Sequence, residues 1–107
     1  MSGQSFNYKA VISYDGSAFF GWQRQPGLPT VQGTMEDSIF EALDEETYVY
    51  ASSRTDKGVH ALGQVISFKL PKKFNLVGMK SLLDSQLPPT IRIRSLDYAP
   101  ENFIARF

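Results

Sequence analysis

Thr47-Tyr48-Val49-Tyr50-Ala51-Ser52-Ser53-Arg54-Thr55-Asp56-Lys57-Gly58-Val59-His60-Ala61-Leu62-Gly63-Gln64-Val65-Ile66-Ser67-Phe68-Lys69-Leu70 decides the fold. Thr47–Ala51 is rich in tyrosine and valine, and residues 63–70 alternate through Gln64, Ile66, Phe68 and Leu70, so each end reads as a strand. Between them, Ser53–Ala61 crowds Arg54, Asp56, Lys57 and the only histidine, His60, around Gly58. So many charges would be costly to bury, which makes this stretch a loop held open by two strands. At about eleven residues it is far longer than the roughly 2–5 that a hairpin needs. Extra length there needs a reason other than connection, and loops on rigid scaffolds are where catalytic groups tend to sit.

Working outward, Phe6, Tyr8, Ala10, Ile12 and Tyr14 alternate with Asn7, Lys9, Val11 and Ser13, a first strand ended by Asp15-Gly16-Ser17. An irregular, aromatic-rich loop, Phe19 to Gly27, follows. Thr30 is positioned to cap a helix through about Leu43, with Val31, Met35, Ile39, Ala42 and Leu43 on one face. Beyond residue 70, Pro71-Lys72-Lys73 breaks the chain and Asn75 caps a second helix carrying Leu76, Met79, Leu83 and Leu87. Pro88-Pro89 stops it. Ile91–Tyr98 is a last strand, with Ile91 and Ile93 on one face and Leu96 and Tyr98 on the other, a phase slip that predicts a bulge near Ser95. The order β-α-β-β-α-β is the split βαβ, or ferredoxin-like, α+β arrangement: an antiparallel sheet with two helices on one face and the other face bare for a partner.

The 107 residues suit a single domain, and 42% hydrophobic with 21% charged residues is globular composition. No apolar run is long enough to span a bilayer and no leader pattern opens the chain. With no cysteine there is neither a disulfide framework nor a thiolate metal site, and a reducing intracellular compartment fits. The formal net charge is zero, but Glu36, Asp37, Glu41, Asp44, Glu45 and Glu46 hold six of the eleven acids. Elsewhere eleven basic residues face five acids, so a positive face opposite an acidic helix would suit a phosphate backbone. A solvated mixed-charge surface accounts for the same numbers.

Within the charged loop Asp56 is the first candidate for chemistry. Arg54, two residues away, would project from the same side in extended backbone and keep the acid ionised, as a nucleophile or general base requires. The alternative is an Asx-turn in which Asp56 bonds the amides of Lys57 and Gly58. A lone His60 reads as a hydrogen-bonded structural residue, and with no second histidine no metal site is expected. Gly58 supplies a left-handed or crowded backbone position. Gly63-Gln64-Val65-Ile66-Ser67-Phe68 faintly echoes an RNA-recognition-motif strand but lacks its basic-Gly-aromatic start.

Five blocks in order resemble the TruA-type tRNA pseudouridine synthases. They are Tyr14-Asp15-Gly16 with Phe20-Gly21-Trp22-Gln23-Arg24-Gln25; Val31-Gln32-Gly33 with Glu36; Arg54 to Ala61 with Gly63-Gln64-Val65; Leu87-Pro88 with Ile91; and Phe103, Ala105, Arg106 and Phe107. The resemblance implies isomerisation of uridine to pseudouridine in the anticodon stem-loop of tRNA, with no cofactor and no metal. It implies that Asp56 is the catalytic aspartate, acting as nucleophile or as base in a glycal-type route. Arg54 would steady it and help displace the extruded nucleotide. Gln23, Arg24, Lys57 and His60 are then the candidates for RNA contact, while Trp22 reads as core packing. The rival readings are a non-catalytic RNA-binding module of the same fold, and a protein-interaction or small-ligand domain.

The sequence departs from the family pattern at Ser53, where glycine is common, at Ile104, where histidine is common, and at Asp84, where asparagine is frequent. Residues 1–107 correspond to the N-terminal, aspartate-bearing domain, and the C-terminal domain is absent from this chain. The family implies an intracellular, cytoplasmic enzyme (nuclear or organellar in a eukaryote), homodimeric at full length, with tRNA as partner and no membrane association. Asp56 would line only half of a cleft, so the 107-residue chain alone is expected to form little or no pseudouridine.

Overall fold

Alternation in residues 6–14 makes β1 (Phe6–Tyr14) the central strand of an antiparallel sheet in the order β2-β3-β1-β4. The computed structural model describes residues 4–106. After β1 come a 3-10 turn over Gly16–Ala18, α1 (Val31–Leu43), β2 (Tyr50–Ala51), β3 (Ala61–Leu70), α2 (Leu76–Gln86) and β4 (Ile91–Ala99). This is the expected ferredoxin-like α+β fold. Thr30 and Asn75 cap the helices through side-chain bonds from Gly33 N and Gly78 N, as their positions predicted.

The core lies between the helices and one sheet face. Tyr8, Ala10, Ile12 and Tyr14 of β1 meet Ile66, Phe68 and Leu70 of β3, and Val31, Met35, Ile39, Met79 and Leu83 cover them from the helices. Each fully buried aliphatic chain of this kind stabilises the fold by about 1.5–3 kcal/mol. Trp22 is 2% exposed and belongs to this core, as expected.

Two strand boundaries differ from the sequence reading. The strand expected over Thr47–Ala51 shrinks to Tyr50–Ala51 because α1 side chains take the main-chain groups of Val49: its N–H donates to Glu36 Oε2 at 2.9 Å, and its carbonyl accepts from Gln32 Nε2 at 3.0 Å. β3 begins at Ala61, since Tyr14 pairs with Ala61 across a register shift. In β4 the expected bulge is present: Val11 faces Ser95 and Ile12 faces Ile93, leaving Arg94 as the extra residue. The bulge cancels the phase slip, so Leu96 is buried on the same face as Ile91 and Ile93, and Tyr98 lies against Tyr8 with ring centroids 5.6 Å apart.

The face expected to be bare is partly covered by the chain itself. Asn7 Nδ2 donates to the carbonyls of Pro100 (2.8 Å) and Phe103 (2.6 Å), and Ala105 N–H donates to Ser67 Oγ at 2.9 Å. Asn7, Ser67 and Ala105 are consequently buried. Lys9, Lys69 and Arg92 remain exposed on this face, away from Glu36, Asp37 and Glu41 on α1.

Candidate active site

The charged loop leaves the sheet at Ser52, whose N–H makes the last main-chain bond to β3, to Val65 O at 2.9 Å. Next, the buried Gln64 side chain of β3 takes over. Its Oε1 accepts from Ser53 N–H (3.1 Å) and Ser52 Oγ (2.8 Å), and its Nε2 donates to Ser53 O (2.7 Å). A side-chain amide thus reproduces the donor-acceptor pair of a strand partner, which lets the backbone rise off the sheet without orphaning polar groups.

Thr55 is held from two directions. Its hydroxyl bonds Tyr14 OH at 2.7 Å, and its carbonyl accepts from Trp22 N–H at 3.0 Å. The second contact depends on Gly21, which has φ +88° and lies so close that an added Cβ would sit 3.0 Å from Thr55 O. Gly21 and Trp22 in turn cap α1: their carbonyls accept from Val31 N–H (3.2 Å) and Gln32 N–H (2.9 Å). The orphan amides of the helix start are therefore already used, and a core helix buttresses the loop.

Past Asp56 the chain turns tightly. The Asp56 main-chain carbonyl accepts from Val59 N–H at 3.1 Å, with Gly58 at φ +81°, so main chain rather than an Asx side chain closes this turn. The left-handed role expected of Gly58 is present. Val59 then packs directly on Gly16, where any Cβ would overlap the Val59 carbonyl. His60 Nδ1 accepts from Gly16 N–H at 3.0 Å, which places the ring proton on Nε2. Asp15 Oδ1 lies 3.2 Å from the same nitrogen. Asp15 is held below the usual carboxylate range by the Ser17 hydroxyl and amide, with His60 adding a smaller pull.

Arg54, Asp56, Lys57 and His60 are all exposed, on a loop whose backbone is fastened on both flanks. Lys57 Nζ sits 4.5 Å from the Phe20 ring centroid, a cation–π contact that leaves the ammonium at the surface. Gln23 is exposed in the neighbouring loop. Arg24 is occupied differently: Nε donates to Glu36 and Nη2 to Asp37, both at 2.9 Å, and Nη2 also reaches Gly33 O at 3.0 Å. These partners, Asp37 and Glu36 foremost, raise its already high pKa. The fold thus joins the two loops through Trp22 but turns the Arg24 guanidinium onto α1. Reasoning on the sequence missed Gln64, Tyr14 and Thr55. The available signal was a polar Gln64 at a core-facing step of an alternating strand.

Among the described residues no three His, Asp or Glu side chains form a group able to hold a metal ion, and no helix is long and apolar enough to cross a membrane.

A ferredoxin-like α+β domain that projects a fastened, charged loop from one end of its sheet is the class that fold and site define. The sequence pattern of the tRNA pseudouridine synthases matches residues 10–107, and the chain belongs to that family. It is 45% identical over 100 residues to the tRNA pseudouridine synthase A of Methylacidiphilum infernorum (isolate V4), covering 94% of this chain and 39% of that protein. It is 42% identical over 101 residues to the enzyme of that name from Rhodopseudomonas palustris, covering 94% and 41%. Against the one from Thermotoga neapolitana it is 39% identical over 99 residues, covering 92% and 40%. The chain spans about two fifths of the length of these relatives.

Proposed function

We propose that this chain carries the catalytic aspartate of an enzyme that isomerises uridine to pseudouridine in the anticodon stem-loop of tRNA, and that Asp56 is that residue. The observation carrying this reading is an exposed carboxylate on a loop fastened at Ser53, Thr55, Val59 and His60. Such a group is open to a nucleotide turned out of folded RNA yet costs little to order at the moment of reaction. The reaction is an internal exchange: the N1–C1′ bond breaks, the uracil turns, C5 bonds C1′, the C5 proton leaves and N1 ends protonated. No electrons enter or leave. Asp56 acts on the ribose as nucleophile, or as base in a glycal-type route. Arg54 accompanies it on the loop and fills the space of the extruded nucleotide.

Lys57 and Gln23 are the nearest groups for phosphate or base contact. His60 offers Nε2–H from a ring anchored to Gly16, and Arg24 contributes by holding its loop on α1. On this reading a second domain closes the cleft over Asp56 in the complete protein, which acts as a homodimer.

The test is Asp56→Asn in the complete protein that carries this sequence. Pseudouridine formation in tRNA should fall by about 10³-fold or more while tRNA binding stays within about twofold. Undiminished turnover would reject the catalytic assignment and leave an RNA-binding module of the same fold.

A further inference from the structure

Gln64 is 4% exposed and sits on the core side of β3, where Ile66, Phe68 and Leu70 are its same-face successors. A polar amide is expensive at such a position unless its hydrogen-bonding groups are met. Here they are. Oε1 accepts two bonds, from Ser52 Oγ and Ser53 N–H. Nε2 donates to Ser53 O and also lies 3.3 Å from Ser53 Oγ and 3.4 Å from Tyr14 OH. The amide orientation follows from this set, because Ser53 N–H demands an acceptor and Ser53 O a donor. Tyr14, itself 4% exposed, passes the constraint on: its hydroxyl is 2.7 Å from Thr55 Oγ1.

From the buried Gln64 and Tyr14 this chain runs Gln64–Ser53 on one side and Gln64–Tyr14–Thr55 on the other, and its two ends flank Arg54 and stop one residue before Asp56. Stability alone does not call for it. An apolar residue at position 64 would continue the core stripe, and a phenylalanine at 14 would fill the same space. What the polar groups add is a fixed exit point and a fixed height above the sheet for the next three residues.

We infer that Gln64 and Tyr14 are positioning residues for the proposed reaction: through Ser53 and Thr55 they set where Arg54 and Asp56 stand, without touching the nucleotide. The inference rests on the assignment of Asp56 as the catalytic group. A displacement of about 1 Å at a reacting group can cost about 10²-fold in rate, so loosening this network should appear in kcat rather than in affinity.

The experiment compares Gln64→Met, Tyr14→Phe, Thr55→Val and Thr55→Ser with Asp56→Asn in the complete protein, measuring single-turnover kcat, tRNA Kd and Tm. Gln64→Met should lower kcat by about 30- to 100-fold, with Kd within about twofold. Tyr14→Phe and Thr55→Val should each lower kcat by about 3- to 10-fold, and the double variant should be no worse than either single one. Thr55→Ser, which keeps the hydroxyl, should restore the rate. A loss of Tm with kcat within threefold of the parent, for Gln64→Met or for the Tyr14/Thr55 pair, would overturn the inference. So would multiplicative losses in the double variant. Should Gln64→Met fail to fold, the Tyr14/Thr55 cycle decides alone. The two readings fail separately: an active Asp56→Asn variant removes the catalytic assignment, whereas an inactive one beside an unimpaired Tyr14/Thr55 pair removes only the positioning role.

Discussion

Gln23-Arg24-Gln25 and Arg54-Thr55-Asp56-Lys57 are both short, polar and arginine-bearing, and their loops are joined by the Trp22 N–H to Thr55 O bond. The fold treats them in opposite ways. At Arg24 the side chain is consumed, with its guanidinium spread over Glu36, Asp37 and Gly33 O, and it serves to fasten backbone. Around Asp56 it is the main chain that is held, at Ser53 by Gln64, at Thr55 by Trp22 N–H and at Val59 by the Asp56 carbonyl, while Arg54, Asp56 and Lys57 are exposed and His60 is tied through its ring to Gly16. Charge in a loop is therefore not the mark of a site. A fastened main chain beneath outward-facing charge is the more informative combination.

The strongest way to break this contrast is to unfasten the loop. Gly16→Ala forces a methyl group into the Val59 carbonyl, so backbone must move. A cost of about 1–3 kcal/mol by denaturant titration is expected, and, if the proposed function holds, lost pseudouridine formation when the substitution is made in the complete protein. Unchanged stability and activity would mean that the Gly16 contact does not locate the loop. Next in size is Arg24→Ala, which should cost about 1 kcal/mol in stability, since these are half-exposed ion pairs (Arg24 side chain 49% exposed) joined by one bond to a helix carbonyl. Its effect on tRNA Kd should be smaller than that of Lys57→Ala. The latter should weaken tRNA binding about three- to tenfold, make the salt slope shallower by about one, and leave Tm unmoved. The reverse ranking in a pair of salt titrations would undo the comparison.

The smallest effect concerns Asp15. Its folded-state pKa is lowered, so its contribution to stability is complete above the ordinary carboxylate value of 3.8 and is lost as pH falls through the lowered one. Unfolding curves of Asp15→Asn between about pH 5 and 2 should be flatter than the parent's by a small margin, because the group is solvent-exposed. An identical acid limb in both proteins would remove the Ser17 and His60 contacts from the account.

The three long strands, both helices and both helix caps were legible because each rests on local chemistry: alternation, three-and-four spacing, and a side-chain acceptor before the first turn. The β4 bulge was legible for the same reason, as a break in period between Ile93 and Leu96. The length of β2 was not, because Glu36 and Gln32, more than a dozen residues earlier, take the Val49 main-chain groups that a strand would have offered to β3. Nor was the cover over the outer sheet face, which depends on Asn7 meeting a turn more than ninety residues later.

For the candidate site the division is similar. Residue type alone singled out the loop, since Arg54, Asp56, Lys57 and His60 cannot share a core at tolerable desolvation cost. The order of blocks along the chain identified the family. That Arg24 lies along α1, that His60 accepts from Gly16, and that Gln64 and Tyr14 hold the loop were decided only when separate segments met. A hydrogen bond needs its partner within about 3 Å and well aligned, and one-dimensional spacing carries no such distance for pairs such as Gly16 and His60 or Tyr14 and Gln64, 44 and 50 positions apart.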